Sequence, residues 1–177
     1  RTSYRGYDLV RRKVAEIADV TGERAQFFVK EHGEAVYLAR SVGSQAVHTD
    51  PGVGGRIPLY AAAAGKAILA ELSERELFEY IEQVEFEPVT EYTITDSDEL
   101  LQELEAIRDR GYSFNRNESL QGTHAVGVAI CDAQGDVLGG LSVTGPSHRL
   151  KGERFKTELP DLLLGAANEL ELNIAHS

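Results

Sequence analysis

A run of very small residues directly after a proline restricts the fold of this chain more than any other segment. Pro58 ends an extended stretch, and residues 61–70, which begin with four alanines and a glycine, predict a helix that reaches about Glu71. The first N–H groups of a helix have no intrahelical partner and lie at the positive end of its dipole. Small side chains leave these groups accessible to an anion, but they also permit close packing against a sheet. The segment alone leaves both interpretations open.

The pair Gly65-Lys66 does not belong to a phosphate-binding loop of the nucleotide-hydrolysing type. That motif requires a glycine five residues before Gly65 and a hydroxyl side chain directly after the lysine. Tyr60 and Ala67 occupy these two positions instead. We therefore expect Lys66 to be a solvated helix residue that can pair with a nearby carboxylate.

Turn signals and apolar periodicity predict an α+β chain. Helices are predicted over residues 7–20 and 61–71, from a cap at Ser73 to about Gln83, from a cap at Asp96 to Gly111, and over residues 159–174. Strands are predicted over residues 25–31, 34–41, 45–49, 112–117, 125–131 and 137–144, with a loop over residues 50–55. Two of the turns between strands are short, which predicts hairpins, so the sheet is antiparallel and the helices cover its faces.

The charge of the chain limits its partners. A net charge of −11 repels phosphate backbones, so these residues are not expected to bind nucleic acid by themselves. The excess of acidic residues, with only five lysines, also suggests that the protein comes from a halophile and is adapted to high salt. No apolar run is long enough to span a membrane and no signal peptide pattern opens the chain, which favours a cytoplasmic protein without a membrane partner.

The sequence contains no recognisable catalytic or metal-binding motif. Its five histidines and one cysteine do not have the spacing of zinc ligands. Cys131 has no activating motif beside it, so we expect a small, buried apolar residue rather than a nucleophile. These observations predict no enzyme activity, no cofactor and no bound metal.

Two hydroxyl side chains occupy alternate positions of the last predicted strand. Because side chains alternate between the faces of a strand, Ser142 and Thr144 lie on the same face. They could bind a buried polar ligand, or they could hydrogen-bond main chain or water at the edge of a sheet. The strand pattern by itself does not separate these alternatives.

Taken together, three segments resemble the C-terminal, ligand-sensing half of IclR-family transcriptional regulators. The first segment is residues 58–70. The second is residues 104–122, which contain Arg110-Gly111-Tyr112-Ser113 and end with the stretch from Glu118 to Gly122. The third is residues 135–146, which end in Leu-Ser-Val-Thr-Gly-Pro. Their order and spacing agree with the family over nearly the whole chain.

The resemblance implies a GAF-like fold, in which a curved antiparallel sheet with flanking helices holds a small-molecule pocket. It implies that residues 1–177 form one effector-binding domain, with residues 1–20 next to the linker, and that the family's winged helix-turn-helix, through which DNA is bound, is absent from this chain. It also implies a homodimer or tetramer. Ligand binding would order residues 47–59 and shift the first helix. The alternative is a free-standing GAF-like module that serves another signalling partner.

The resemblance also assigns residues to the binding of a small-molecule effector, expected to be a carboxylate. Backbone amides at the start of the small-residue helix would hold the carboxylate, and residues of the sheet and of the segment before the 50–55 loop would surround it. The assigned residues are Ala63, Ala64, Asn115, Ala125, Ser142 and Thr144, with Ala46 and Thr49 before the loop. No arginine falls at a matched position, so an anion is expected to rest on amides and hydroxyls.

Overall fold

The computed structural model describes residues 4–44 and 54–177, and all structural statements below concern these residues. The α-helices are α1 (Tyr4–Thr21), α2 (Ala63–Ala70), α3 (Glu74–Gln83), α4 (Ser97–Arg110) and α5 (Leu159–Ala175). The strands are β1 (Arg24–Glu31), β2 (Glu34–Val42), β3 (Arg56–Pro58), β4 (Ser113–Arg116), β5 (Thr123–Cys131) and β6 (Val137–Pro146). A 3₁₀ turn (Leu59–Ala61) precedes α2, and a π-helical turn (Arg154–Glu158) precedes α5. The predicted α+β class is therefore confirmed.

The strands form one antiparallel sheet in the order β3-β2-β1-β6-β5-β4. Two tight hairpins join β1 to β2 and β5 to β6. His32 and Gly33 at the first hairpin both have positive φ angles, 51° and 79°, as a two-residue hairpin turn of type I′ requires. The pairing of β1 with β6 joins the β1–β2 hairpin to the β5–β6 hairpin at the centre of the sheet.

Helices cover both faces of the sheet, and each layer has its own apolar core. On one face, α1 and α5 pack through residues such as Val14 and Leu163. On the other face, α2 and α4 pack through residues such as Ile68 and Leu104. The sheet therefore separates two cores, and any pocket on the α2 side lies away from α1 and α5.

Helix α2 approaches the sheet unusually closely, because glycines face it. A Cβ atom added to Gly127 of β5 would lie 2.6 Å from the backbone of Ala63 and Ala64. A Cβ atom at Gly140 of β6 would lie 2.8 Å from the carbonyl oxygen of Ala64. The small residues of α2 and these strand glycines together place the first turn of the helix directly on the centre of the sheet.

The start of the small-residue helix differs from the prediction. The first two alanines of the run are not part of α2, since Ala61 ends the 3₁₀ turn and Ala62 is extended, with φ −117° and ψ 143°. The extended stretch that Pro58 ends is β3, a strand of three residues that the predicted strands did not include. The predicted strand over residues 45–49 lies outside the described residues, as does most of the predicted loop over residues 50–55.

The other predicted boundaries agree with the structure to within three residues. Ser73 and Glu76 form the predicted capping box of α3, in which each side chain accepts from the other residue's backbone N–H. Asp96 caps α4 by accepting from the backbone N–H of Glu99, and Gly111 ends that helix with a φ of 92°. These caps explain why both helices could be placed from local sequence.

Candidate ligand-binding site

A cavity of about 210 Å³ lies between the start of α2 and the face of the sheet. Residues 62–64 form its floor, and the opposite wall comes from β1, β6, β5 and β4. The loop between β4 and β5 (residues 117–122) contributes Ser119 and Leu120 to the rim. A space of this size corresponds to about seven water molecules, which limits an occupant to a small molecule.

Four adjacent strands place one residue each in a single row across the cavity wall. Arg24 of β1 pairs with Thr144 of β6, Thr144 pairs with Ala125 of β5, and Ala125 pairs with Asn115 of β4. All four line the cavity. The structure therefore brings together three residues predicted from widely separated segments, and adds Arg24.

The neighbouring row contains the other polar residues of the wall. Gln26 pairs with Ser142, and Ser142 pairs with Gly127, where the strand lies against α2. The side-chain amide of Gln26 donates to Ser142 Oγ at 2.8 Å and to Thr144 Oγ1 at 2.6 Å. Ser142 and Thr144 thus lie on one face, as predicted, but in the middle of the sheet rather than at its edge. Because both hydroxyls accept from Gln26, their own hydrogens remain for donation.

The first turn of α2 contributes uncapped backbone N–H groups to the cavity. Ala62 occupies the N-cap position and has no side-chain acceptor, and no side chain of the described residues caps the helix. Lys66 is the first residue whose N–H reaches a helical carbonyl, that of Ala62 at 2.9 Å. The N–H groups of Ala63 and Ala64 lie before this bond, so they are the donors that an anion at a helix start would meet.

Asn115 lies in the cavity lining, but its amide already has protein partners. Its Nδ2 donates to the carbonyl of Ala61 at 3.0 Å and to Ser119 Oγ at 3.1 Å. Its Oδ1 accepts from the backbone N–H of Glu118 at 2.8 Å. A ligand would therefore contact this amide in competition with bonds that shape the wall. Its predicted role in direct contact with a ligand stays a prediction.

The cavity lining includes an arginine that the resemblance did not assign. Arg24 is only 8% exposed, lines the cavity, and donates from Nε to Gln26 Oε1 at 3.3 Å. The sequence contained a partial signal, because Arg24 and Gln26 are two apart and so share a face of a strand whose residues 25 and 27–29 are apolar. Arg24 is not a matched family position, so the resemblance did not assign it.

Two of the predicted site residues, Ala46 and Thr49, lie outside the described residues. Several cavity residues, in turn, were not predicted. They include Phe28 and Tyr37, whose ring centroids are 4.3 Å apart, and Ile57 of β3. These side chains make the end of the cavity beside β2 apolar, while the end beside β4 and β6 is polar.

The prediction that Lys66 is solvated is wrong, although it does pair with carboxylates. Its side chain is fully buried, and Nζ donates to Glu103 at 2.9 Å, to Glu118 at 2.7 Å and to the carbonyl of Phe114 at 2.8 Å. The helix direction turns this residue toward α4 and the sheet rather than toward water. Local sequence could not show this, because the partners come from segments 37 and 52 residues away.

Cys131 is partly exposed, not buried as predicted. Burial and the neighbouring carboxylates, Glu71 first among them, raise the pKa of its thiol to about 12. At neutral pH the sulfur is therefore protonated and a poor nucleophile. Within the described ranges, no group of three or more metal-ligating side chains could hold an ion, and no helix there is long and apolar enough to cross a membrane.

Comparison with known proteins gives a consistent result. A family model described as "Bacterial transcriptional regulator IclR C-terminal" matches residues 7–172. The chain is 33% identical over 171 residues to the probable HTH-type transcriptional regulator ArcR of Halobacterium salinarum, covering 95% of this chain but only 65% of that relative.

Two solved structures show the same fold. The crystal structure of the Thermotoga maritima IclR has a TM-score of 0.92 and 34% identity, and the match covers 97% of this chain and 69% of that one. The inducer-binding domain of PobR from Acinetobacter, a double mutant in complex with 3-hydroxybenzoic acid, has a TM-score of 0.84 and 27% identity, with 93% and 96% covered. Members of the matching family are transcriptional regulators rather than enzymes. The chain belongs to the IclR C-terminal family and has the fold of its effector-binding domain.

Proposed function

We propose that the cavity on the α2 side binds a small organic carboxylate and that this chain is the sensing part of an IclR-type regulator. The observation that carries the proposal is the convergence of residues with hydrogen-bond donors on the cavity. The uncapped amides of α2, the hydroxyls of Ser142 and Thr144 and the guanidinium of Arg24 all line one small space. Donors converging from several sides are the chemistry that recognises an anion.

The apolar end of the cavity sets the rest of the ligand. Phe28 and Tyr37 would contact a hydrocarbon part, while the carboxylate would face α2. The PobR domain, which has a similar fold, was solved with 3-hydroxybenzoic acid, a molecule that combines a carboxylate with an apolar ring. We propose a compact monocarboxylate or hydroxy acid whose size is limited by the cavity volume.

The longer relative supports a proposal for the whole protein. ArcR is named an HTH-type regulator, and this chain spans less than two thirds of its length. We propose that a helix-turn-helix segment in the same polypeptide binds DNA, that α1 connects it to the sensing domain, and that the protein is a cytoplasmic homodimer or tetramer. The gene sequence upstream of Arg1 tests the first point. A reading frame without such a segment would favour a free-standing module. Light scattering of the full-length protein tests whether it is a dimer or a tetramer.

The ligand proposal is tested by screening a panel of small acids, with 3-hydroxybenzoate among them, for an increase in Tm. An acid that binds the native state raises Tm with concentration. Two variants address the site. Ala125→Leu fills the cavity without removing a hydrogen bond, and Ala62→Ser supplies an N-cap acceptor for the amides that would hold the carboxylate.

Both variants should abolish the increase in Tm that a binding acid produces. Ala15→Leu, on the exposed face of α1, is the matched control and should leave the increase unchanged. If a binding acid stabilises all three variants equally, the cavity is not its site. If none of the acids stabilises the parent protein but neutral analogues do, the carboxylate assignment is wrong.

A further inference from the structure

A buried cluster of charges lies beside the cavity and connects three elements. Lys66 of α2 uses all three ammonium donors, toward Glu103 of α4, Glu118 of the 117–122 loop and the carbonyl of Phe114 in β4. Lys66 has no solvent exposure, and the side chain of Glu118 is only 12% exposed. The cluster therefore fixes the loop to the second turn of α2 through contacts that are shielded from water.

A second route ties the same loop to the 3₁₀ turn that precedes α2. The other carboxylate oxygen of Glu118 accepts from the backbone N–H of Arg116 at 3.0 Å. The backbone N–H of Glu118 donates to Asn115, and Asn115 donates to the carbonyl of Ala61, just before the helix. A closed ring of bonds thus runs from α2 through Lys66, Glu118 and Asn115 back to the start of α2.

Stability alone does not explain a buried lysine in this position. Removing two carboxylates and an ammonium from water is costly, and apolar residues of similar volume often serve a fold equally well. The position of the cluster offers a reason, because the loop it fixes supplies Ser119 and Leu120 to the cavity rim. Thr93 Oγ1 also donates to the carbonyl of Glu118 at 2.6 Å, which holds the loop from its outer side.

We propose that Lys66 is a positioning residue that holds the 117–122 loop in place as a preformed wall of the cavity before any effector arrives. Lys66 does not line the cavity and acts through Glu118. The proposal rests on the proposed function only in identifying this cavity as the effector site. A site that is formed in advance binds its ligand without first ordering the loop, which increases affinity.

Residue-resolved amide hydrogen exchange of the ligand-free protein tests the proposal. The backbone amides of Arg116 and Glu118 report directly on the two bonds that hold the loop. In Lys66→Met they should exchange about tenfold faster or more than in the control Lys156→Met, which changes an exposed lysine. Amides of the central strand β1 should stay within about twofold of the control.

Two further variants separate positioning from charge balance. Glu118→Gln should accelerate the same two amides, because one carboxamide oxygen cannot replace both carboxylate oxygens, and this variant decides the test if Lys66→Met does not fold. Glu103→Gln retains an acceptor and leaves the bond from Lys66 to Glu118 intact, so exchange at the loop should not change.

The proposal is overturned if the loop amides in the Lys66 and Glu118 variants exchange as in the control. It is also overturned if they accelerate only in step with β1, which would indicate a general loss of stability, or if Glu103→Gln has the same effect as Glu118→Gln. No effector is needed, so this test can fail while the effector assignment stands, and the reverse also holds.

Discussion

Replacing Gly127 by alanine tests whether the floor of the cavity depends on close contact between helix and sheet. The new Cβ atom would lie 2.6 Å from the carbonyl carbon of Ala63 and from the nitrogen of Ala64. Both neighbours are backbone atoms, so no side chain can rotate away. To reach an ordinary contact of 3.4 Å, α2 and β5 would have to separate by roughly 0.8 Å.

The expected loss of stability follows from two opposing effects. Overpacking of this kind costs about 1–3 kcal/mol. Alanine in a strand interior gains back about 0.5–1 kcal/mol relative to glycine. Because the clash is with backbone atoms, its cost lies in the upper half of that range, about 2–3 kcal/mol. The net destabilisation of Gly127→Ala is then about 1–2.5 kcal/mol, which in a domain of this size lowers Tm by about 2–10 °C.

Thermal and urea unfolding of the purified protein measure this effect, with Gly165→Ala as the matched control. Gly165 lies on the exposed side of α5, and a Cβ atom there meets nothing within 4 Å. Helix propensity then predicts a gain of up to about 1 kcal/mol. A Gly127→Ala protein that is as stable as the parent, or more stable, would refute the tight contact. Any acid that binds the parent should also bind this variant more weakly, because its floor is displaced.

Three other predictions follow from the same contacts. Gln26→Leu leaves Ser142 and Thr144 without their buried donor and should lower the free energy of unfolding by about 1–3 kcal/mol, measured in urea, whereas an unchanged midpoint would contradict the hydrogen bonds described. Because its thiol pKa is raised to about 12, Cys131 should react with iodoacetamide at pH 8 at least about 100-fold more slowly than a free cysteine peptide. Its reaction rate should increase about tenfold per pH unit up to about pH 11. A rate at pH 8 like that of the peptide would refute the raised pKa. Because the chain carries a net charge of −11, molar NaCl should raise its Tm by screening self-repulsion, and a Tm independent of salt would argue against adaptation to high salt.

Local sequence was sufficient wherever local interactions determine the structure. The caps at Ser73 and Asp96 placed α3 and α4, and the two-residue period placed Ser142 and Thr144 on one face. The extended conformation of Ala62 was not predictable in this way. It follows from the 3₁₀ turn before it and from the contact of α2 with the strand glycines, which are tertiary features.

The features that the sequence did not reveal depend on contacts between distant segments. Gln26 donates to a serine 116 residues further along the chain, and Lys66 meets Glu118 at a separation of 52 residues. Lys66 has no local pattern that distinguishes it from a surface residue of a helix. The spacing of Arg24 and Gln26 places them on one face of β1 but does not show that this face is buried. Only the pairing of β1 with β6, and the packing of α2 on β5, determines that the side chains of Gln26 and Lys66 are enclosed.

The two interpretations of the small-residue segment are not alternatives in this fold. Small side chains let α2 lie against Gly127 and Gly140, and that same approach brings the uncapped N–H groups of Ala63 and Ala64 to the cavity. Small residues alone are therefore no argument for an anion site, because packing would select them too. The argument comes from Ala62, since a buried helix start without a capping side chain leaves donors that packing does not satisfy. A carboxylate is therefore the partner that we propose for those donors and for the polar residues of the facing wall.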